Sequence, residues 1–208
     1  MARTATNTRE ELLRAAFVIV DEQGYEALTL RSLGTAVGMH HTAVFRHFRT
    51  KDELLQEMLG RALGEGFANF NPMEYGPAER IVATAVHLRS VLAEHPALIH
   101  PMLSGESTSA EADGIQLLVL GALIELGLSG RDLAVRYQAL ESYALGSIYL
   151  DFADYPNHAV ERSNRHVRQG GELATFAGNA NDVENLNRAA YEYGLQVLVA
   201  ECVQAGKR

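Results

Sequence analysis

A segment without Asp or Glu, from Ala27 to Lys51, constrains the fold of this chain most strongly. Within it, Leu30 to Val37 has the apolar spacing of a short helix, and Gly38 follows where the chain must turn with a positive φ. The pattern predicts a second short helix from about His41 to Phe48. Two helices joined by a tight glycine turn indicate a helix-turn-helix, a motif whose second helix lies in the major groove of DNA.

The charges are distributed unevenly along the 208 residues, whose formal net charge is −8. Up to Lys51 there are seven Lys or Arg against five Asp or Glu, whereas the remainder holds eleven against twenty-one. An acidic body repels DNA, while one locally basic face can still approach it. This distribution favours specific docking of that face over indiscriminate binding along the phosphates.

The composition predicts a folded protein of the cytoplasm. Hydrophobic residues make up 47% of the chain, which is enough to bury a core, and the lone Cys202 excludes an intrachain disulfide. No signal-like run precedes the first predicted helix. The longest apolar run, from Leu117 to Leu128, is shorter than the roughly 20 residues that a membrane span needs and contains Glu125. We therefore expect no membrane segment.

Helix-start and helix-stop signals recur along the chain and predict an all-α fold. Residues suited to N-cap positions precede the predicted helices, namely Thr8, Thr29, Thr50 and Ser129. Tyr75-Gly76-Pro77 indicates a loop. We expect a helix-turn-helix domain over 1–51, a linking helix over 50–70 and a second domain over 71–208. The helices expected in that domain are 77–94, 110–126 as its buried centre, 131–154, a polar surface helix over 157–169 and, after a Gly/Asn-rich loop, 182–204.

Motifs of enzymes are missing from the sequence. It has no glycine-rich phosphate loop, no H-E-x-x-H, no G-x-S-x-G and no Cys-based metal spacing. We therefore expect no catalytic residue, no cofactor and no metal site, although an enzyme stays open as a less favoured alternative.

The first domain resembles the TetR family of transcriptional regulators. That family's pattern of an amphipathic helix ending in Gly, then T-x-x-x-[LI]-A-x-x-x-G-V-S-x-x-x-[LF]-Y-x-[HY]-F-x-[SN]-K, appears here as Gly24, Thr29, Leu33, Gly34, Gly38, Met39, His40, Val44, Phe45, His47, Phe48, Thr50 and Lys51. The stretches SVLAEHPALIHPMLSG, ALESYALGSIYLDF and AAYEYGLQVLVAE are similar to the ligand-binding and dimerisation domain of the tetracycline repressor subgroup. The resemblance implies a DNA-binding regulator, most simply a repressor that a ligand releases from its operator.

The resemblance also implies which residues touch DNA. Met39, Val44 and Phe48 should pack against Leu33 and the first helix. His41, Thr42 and Arg46 should meet base edges, and Thr29, Arg31, His47 and Lys51 should meet phosphates. Two matched positions depart from the family: Phe45 replaces the usual Tyr and so lacks its hydroxyl, and His40 replaces the usual Ser or Thr cap.

As in that family, the helices over 131–154 and 182–204 should pair with those of a second subunit in a four-helix bundle. The predicted stripes are Leu133, Tyr137, Leu140, Ala144 and Ile148 on the first, and Leu186, Ala190, Tyr193 and Val197 on the second, with Ala144, Gly146 and Gly194 allowing close approach. Burial within one subunit would explain the same stripes. A homodimer spaces its reading heads by about 34–36 Å and should bind a palindromic operator.

The second domain should hold an apolar cavity for a small-molecule inducer of unknown identity. The candidate ligand-binding residues are His87, His100, Met102, Gln116, Tyr137, Glu141 and Asp151. His100 falls near a metal-ligating His of the tetracycline repressor, but that protein's partner Glu would align near Leu150, which argues against a magnesium-tetracycline site. Ligand binding should shift the linking helix. A ligand-independent DNA-binding scaffold or architectural protein is the alternative.

Overall fold

The computed structural model describes residues 5–103, 109–152 and 180–207, together with the single positions 161, 164, 165, 168 and 170. These residues form helices and no strand, which confirms the all-α prediction. The helices are α1 (Ala5–Gln23), α2 (Leu30–Ala36), α3 (His41–Val44), α4 (Lys51–Gly66), α5 (Pro77–Glu94), α6 (Ile99–Leu103), α7 (Ala110–Glu125), α8 (Gly130–Phe152) and α9 (Ala180–Gly206). The predicted surface helix over 157–169 and the Gly/Asn-rich loop after it lie outside the continuously described ranges. None of the described helices is long and apolar enough to cross a membrane.

The first compact unit comprises Met1–Gly66 and Ala97–Ala112. In it α1 packs against α2 and α4, and α2 packs against α3. The side chains that fill its centre have no exposed surface, and they include Leu12, Leu33, Val44, Phe48 and Leu55. Val44 and Phe48 are core residues, as predicted, whereas Met39 is only half-buried.

Helix α2 begins and ends as its sequence predicts. The Thr29 hydroxyl accepts a hydrogen bond from Ser32 N–H at 2.9 Å, and the Ser32 hydroxyl accepts one from Thr29 N–H at 2.9 Å. This reciprocal pair satisfies backbone N–H groups that have no partner inside the helix. Gly38 then turns the chain with a φ of 67°, a conformation that favours glycine.

Helix α3 is shorter than predicted, because it ends at Val44 rather than near Phe48. After it the backbone tightens: Arg46 N–H donates to the Ala43 carbonyl at 3.2 Å, and His47 N–H donates to the Val44 carbonyl at 2.8 Å. Such i to i+3 bonds are typical of the last turn of a helix. This tight turn leads directly to Phe48, whose ring is fully buried.

Gly34 allows α2 to approach the turn before α3 closely. Met39 N–H donates to the Gly34 carbonyl at 2.8 Å. A Cβ at position 34 would lie 2.9 Å from the Met39 carbonyl oxygen and 3.2 Å from Val44 Cγ2. Because the first of these atoms belongs to the backbone, a larger residue would displace the turn that positions α3.

The second compact unit comprises Phe67–Pro96 and Asp113–Arg208. Its central helix is α5, which packs against both α8 and α9 and buries Ile81, Thr84 and Leu92. The prediction that α7 is the buried centre is wrong. Leu117 and Ile124 of α7 are 67% and 57% exposed. The sequence of a helix that is apolar on every side does not show which side is packed. The helix that lies between two long helices is α5, not α7.

Candidate nucleic-acid interface

Most of the predicted DNA-contacting residues lie on the surface of the first unit. The side chains at these positions are exposed: Thr29, Arg31, His40, His41, Thr42, Phe45 and Arg46. His47 and Lys51 are half-buried. Arg31 and Arg46 have no side-chain partner among the described residues, so both guanidinium groups are available to an external anion. The structure thus brings together on one unit the residues that the acid-free segment contributes.

His40 caps α3 in place of the Ser or Thr that the family pattern has at this position. Its Nδ1 accepts a hydrogen bond from Thr42 N–H at 3.4 Å and lies 2.8 Å from the Thr42 hydroxyl oxygen. The rings of His40 and His41 are 4.3 Å apart. Among the described residues, no group of three or more His, Cys, Asp or Glu is placed to hold a metal ion.

Phe45 presents an apolar ring where the family pattern has Tyr. The ring is 48% exposed and meets the His41 ring edge-on at 6.5 Å between centroids. It cannot donate a hydrogen bond to phosphate, but it can contact sugar or the methyl group of thymine. The exposed surface of α3 and of the turn after it therefore combines the imidazole of His41 with the ring of Phe45 and the guanidinium of Arg46.

Lys51 makes contacts that its sequence position does not predict. Its Nζ donates to the Tyr25 carbonyl at 3.1 Å and lies 3.8 Å from the centroid of the Tyr25 ring. The ammonium thereby joins the start of α4 to the short 3-10 helix Tyr25–Ala27 that precedes α2. Lys51 has a structural role inside the first unit in addition to the phosphate contact that the sequence predicts.

Arg9 of α1 is a positioning residue that the sequence analysis missed. Its Nε donates to the two carboxylate oxygens of Glu57 at 3.0 and 2.9 Å, and its Nη1 donates to the His47 carbonyl. The guanidinium also lies 4.3 Å from the centroid of the Phe48 ring. The hydrogen bond to Glu57 raises the pKa of Arg9 above its ordinary value, so its charge is permanent. Arg9 thus fastens the end of the helix-turn-helix to α1 and α4.

Arg49 was also missed, although the acid-free segment contains it. Its side chain is exposed, and its backbone N–H donates to the Glu53 carboxylate at 2.8 Å. Arg49 does not match a position of the family pattern. Its place between Arg46 and Lys51, in a run of basic residues, could have indicated a contact with DNA.

The candidate ligand residues do not converge on one site. His100 and Met102 lie in the first unit, where the His100 ring is 5.8 Å from that of Tyr25. In the second unit Tyr137 donates to the Glu141 carboxylate and hydrogen-bonds Gln116, and burial raises its pKa. The two remaining candidates lie elsewhere in that unit, His87 between aromatic rings and Asp151 in a buried ion pair.

The buried ion pair of the second unit centres on Arg89 of α5. Arg89 Nη2 lies 3.1 Å from Asp151 Oδ2, and the two side chains are 6% and 4% exposed. Arg89 Nη1 lies 3.0 Å from the Glu184 carboxylate of α9. The guanidinium is also 4.7 Å from the centroid of the Phe152 ring. Arg89 therefore links α5 to both α8 and α9, which assigns Asp151 a role in packing.

The predicted dimer stripes differ in their exposure. On α9 the side chains of Leu186, Tyr193 and Val197 are 48%, 70% and 46% exposed. On α8 the predicted residues Leu140, Ala144 and Ile148 are buried within the subunit, so they are not available to a partner. The exposed positions of α8 at 4-3 spacing include Val135, Ala139, Ser142 and Tyr149. Both sides of α8 carry apolar residues. Their helical spacing alone therefore led to a predicted stripe on the side of α8 that packs inside the subunit.

Gly194, which was expected to allow close approach of a second subunit, packs against Tyr143 within the same subunit. A Cβ at Gly194 would lie 2.0 Å from the Tyr143 hydroxyl oxygen. That hydroxyl donates to the Ala190 carbonyl at 2.9 Å, so Gly194 lets α8 pack on α9. Nothing lies within 4 Å of a Cβ built at Gly146, which leaves that position open on the surface of α8.

Comparison with known proteins gives a consistent result. Residues 12–58 match the sequence model of the family described as bacterial regulatory proteins, tetR family. An HTH-type transcriptional regulator from Saccharopolyspora erythraea is 29% identical over 204 residues, which span 93% of this chain and 83% of that relative.

Two solved structures show the same fold. A transcriptional regulator described as a TetR from Streptomyces coelicolor superposes with a TM-score of 0.72 at 19% identity, covering 96% of this chain and 99% of that one. BioQ, solved with its natural double-stranded DNA operator, superposes with a TM-score of 0.63 at 22% identity, covering 94% and 98%. At these identities the likeness is one of fold.

Proposed function

Because this chain belongs to the TetR family of bacterial transcriptional regulators, we propose that it binds a palindromic operator as a homodimer and leaves it when a small molecule binds. It is a sequence-specific DNA-binding regulator. The observation that carries the proposal is that the acid-free segment from Ala27 to Lys51 exposes basic and polar side chains around α3, on a chain whose net charge is −8. On a chain so acidic, that basic surface is the one that favours approach to DNA among the described residues.

The contacts divide into those that read bases and those that bind the backbone. His41 and Thr42 read base edges from α3, and Arg46, in the turn that follows α3, suits bidentate bonding to guanine. Arg31, His47 and Thr29 bind phosphates on either side. At the start of α4, backbone N–H groups receive a phosphate, while Lys51 supports them through its bond to Tyr25.

The homodimer rests on the exposed apolar residues of α8 and α9. Tyr193, Val197 and Leu186 form one stripe, and Val135 and Tyr149 belong to the other. Single exposed apolar residues are common, but a row at helical spacing on two long helices is typical of a subunit interface. Two-fold pairing through these helices presents two copies of α3, as a palindrome requires.

Release by a ligand requires that ligand binding shift α4, the helix that precedes the second unit. A differential affinity worth about 1–3 kcal/mol between two conformations is enough to change operator occupancy strongly. The ligand-independent scaffold remains the second candidate. A molecule that copurifies with the protein and weakens operator binding would exclude that candidate, and an unchanged affinity with every ligand tried would favour it.

The protein acts by binding rather than by catalysis, and it acts in the cytoplasm where the chromosome lies. Repression follows when the operator overlaps the promoter, because the bound dimer then excludes the polymerase.

The decisive experiment selects bound DNA from a random pool with the purified protein. The expected result is a palindromic sequence with half-sites about one helical turn apart. A selected sequence without two-fold symmetry would contradict the homodimer, and failure to enrich any sequence would contradict specific recognition.

A further inference from the structure

An open groove in the second unit runs between α5 and α9 and has a volume of about 920 Å³. Valine and alanine side chains form much of its wall, among them Val82 and Val86 of α5 and Val199 and Val203 of α9. The volume lies at the upper end of the range for small-molecule sites, and mainly apolar walls are typical of them. The groove can therefore bury the apolar body of a ligand.

Aromatic rings line the end of the groove near the start of α5. The His87 ring stacks on Phe70 at 4.8 Å between centroids with an angle of 14° between the rings, and Phe70 stacks on Tyr75 at 6.1 Å. Phe67 supports His87 from the side at 4.6 Å. Because Phe70 stacks on both His87 and Tyr75, these rings form an aromatic, largely apolar end to the groove.

Among the described residues that line the groove, Asp, Glu, Lys and Arg are represented by Glu79 and Glu192 alone. Neither carboxylate forms an ion pair with any residue in the described part of the chain. Arg188, one helical turn before Glu192, donates instead to the Asn185 side chain at 3.0 Å. Glu79 is exposed and Glu192 is half-buried, so both carboxylates are available to a cation in the groove.

We propose that this groove binds a lipophilic cation. The apolar body lies between the valines of α5 and α9, and the carboxylates of Glu79 and Glu192 attract the positive charge. An anion of the same shape meets these two carboxylates and, among the described lining residues, no Lys or Arg. The proposal deepens the ligand response described above and rests on it only for the consequence at the operator, since binding itself is independent of DNA.

The test uses two ions of nearly equal size and opposite charge, tetraphenylphosphonium and tetraphenylborate. Calorimetry or equilibrium dialysis with the whole protein, without DNA, measures each dissociation constant. The expected result is saturable binding of the phosphonium, one per subunit, at least tenfold tighter than binding of the borate. Equal affinities, or no binding of the phosphonium, would overturn the proposal.

Paired variants separate local attraction from the general effect of net charge. The double variant Glu79→Gln, Glu192→Gln should weaken phosphonium binding at least tenfold. The control Glu94→Gln, Glu201→Gln removes two charges from the same helices at exposed positions outside the groove, and it should leave the affinity unchanged. Equal losses in both variants would show that the cation responds to net charge alone and would contradict a site.

Filling the groove tests its occupant. Ala83→Trp should abolish phosphonium binding while sedimentation shows the wild-type oligomer; a change of oligomer instead would assign the groove to a second copy of the chain and overturn the proposal. Where circular dichroism shows that Ala83→Trp is unfolded, the glutamine pair decides. The effect of phosphonium on the operator complex is measured separately. If phosphonium does not bind the protein, the proposed cation site is wrong, but the proposed recognition of the operator is unaffected.

Discussion

The ammonium of Lys51 lies 3.8 Å above the ring of Tyr25 and donates to the carbonyl of the same residue at 3.1 Å. A charged donor and a cation–π contact meet at one residue 26 positions earlier in the chain. Lys51 therefore contributes to the stability of the first unit before any DNA is bound.

Lys51→Met should lower the free energy of unfolding by about 1–2 kcal/mol, because it removes both contacts while keeping most of the apolar stem. It should also weaken binding to every DNA sequence alike. Urea unfolding and operator titration at several salt concentrations measure the two effects. Arg49→Met is the matched control at an exposed position, where stability should be unaffected.

Arg46→Ala should change DNA recognition without changing stability. The guanidinium is exposed and has no side-chain partner among the described residues, so its loss breaks nothing within the protein. Selection from a random pool should show relaxed preference at one position per half-site, with a cost of about 1–3 kcal/mol at the operator. If Arg46→Ala and Lys51→Met weaken all sequences equally, the division into base and backbone contacts is wrong.

Tyr193→Asp should convert the homodimer to a folded monomer of 22.7 kDa. The side chain is 70% exposed within the subunit, so the substitution disturbs the proposed interface rather than the core. Sedimentation gives the mass, and operator affinity should fall because two linked reading heads become one. Asn185→Asp adds the same charge to α9 at another exposed position and should remain dimeric.

Arg89→Met should destabilise the second unit by about 3–5 kcal/mol, since it leaves the carboxylate of Asp151 buried without its partner. Adding Asp151→Leu should recover part of that loss, because the unpaired charge is then removed as well. Thermal unfolding of the two single variants and the double variant measures the coupling. Simple addition of the two single effects would contradict a direct pair.

Alkaline pH should destabilise the protein through Tyr191. Burial raises the pKa of its hydroxyl, which donates to the Ala85 carbonyl at 3.0 Å, so the folded state holds this proton more tightly than the unfolded state. The contribution is complete below the ordinary value of about 10 and is lost progressively as pH rises above it. Tyr191→Phe should reduce the slope of stability against pH between 10 and 11, at a cost of about 1 kcal/mol at neutral pH. Tyr149→Phe, at an exposed position, should keep the wild-type slope.

Local signals predicted the first unit well. Thr29 caps α2, Gly38 turns the chain, and Val44 and Phe48 enter the core, because each of these outcomes depends on residues within a few positions. The contacts of Lys51 and Arg9 were not predictable in the same way. Their partners lie 26 and 48 residues away, and no periodicity connects them.

The second unit was harder to predict because its helices are apolar on more than one side. Spacing identified α8 and α9 as long helices but did not decide which side of α8 packs inside the subunit. The candidate ligand residues were chosen by type, and His100 with Met102 proved to belong to the other unit. Of the candidates, His87 lines the groove between α5 and α9, whereas the valine and alanine side chains that form much of its wall give no chemical signal in a sequence.

Arg9 has a further consequence for how a signal reaches DNA. Its one guanidinium bonds Glu57 of α4 and the carbonyl of His47 just after α3, so Arg9 joins α1, α4 and the turn after α3. We expect a rotation of α4 to carry the turn that holds Arg46 with it, so that Arg9 couples the position of α4 to the surface proposed to read bases.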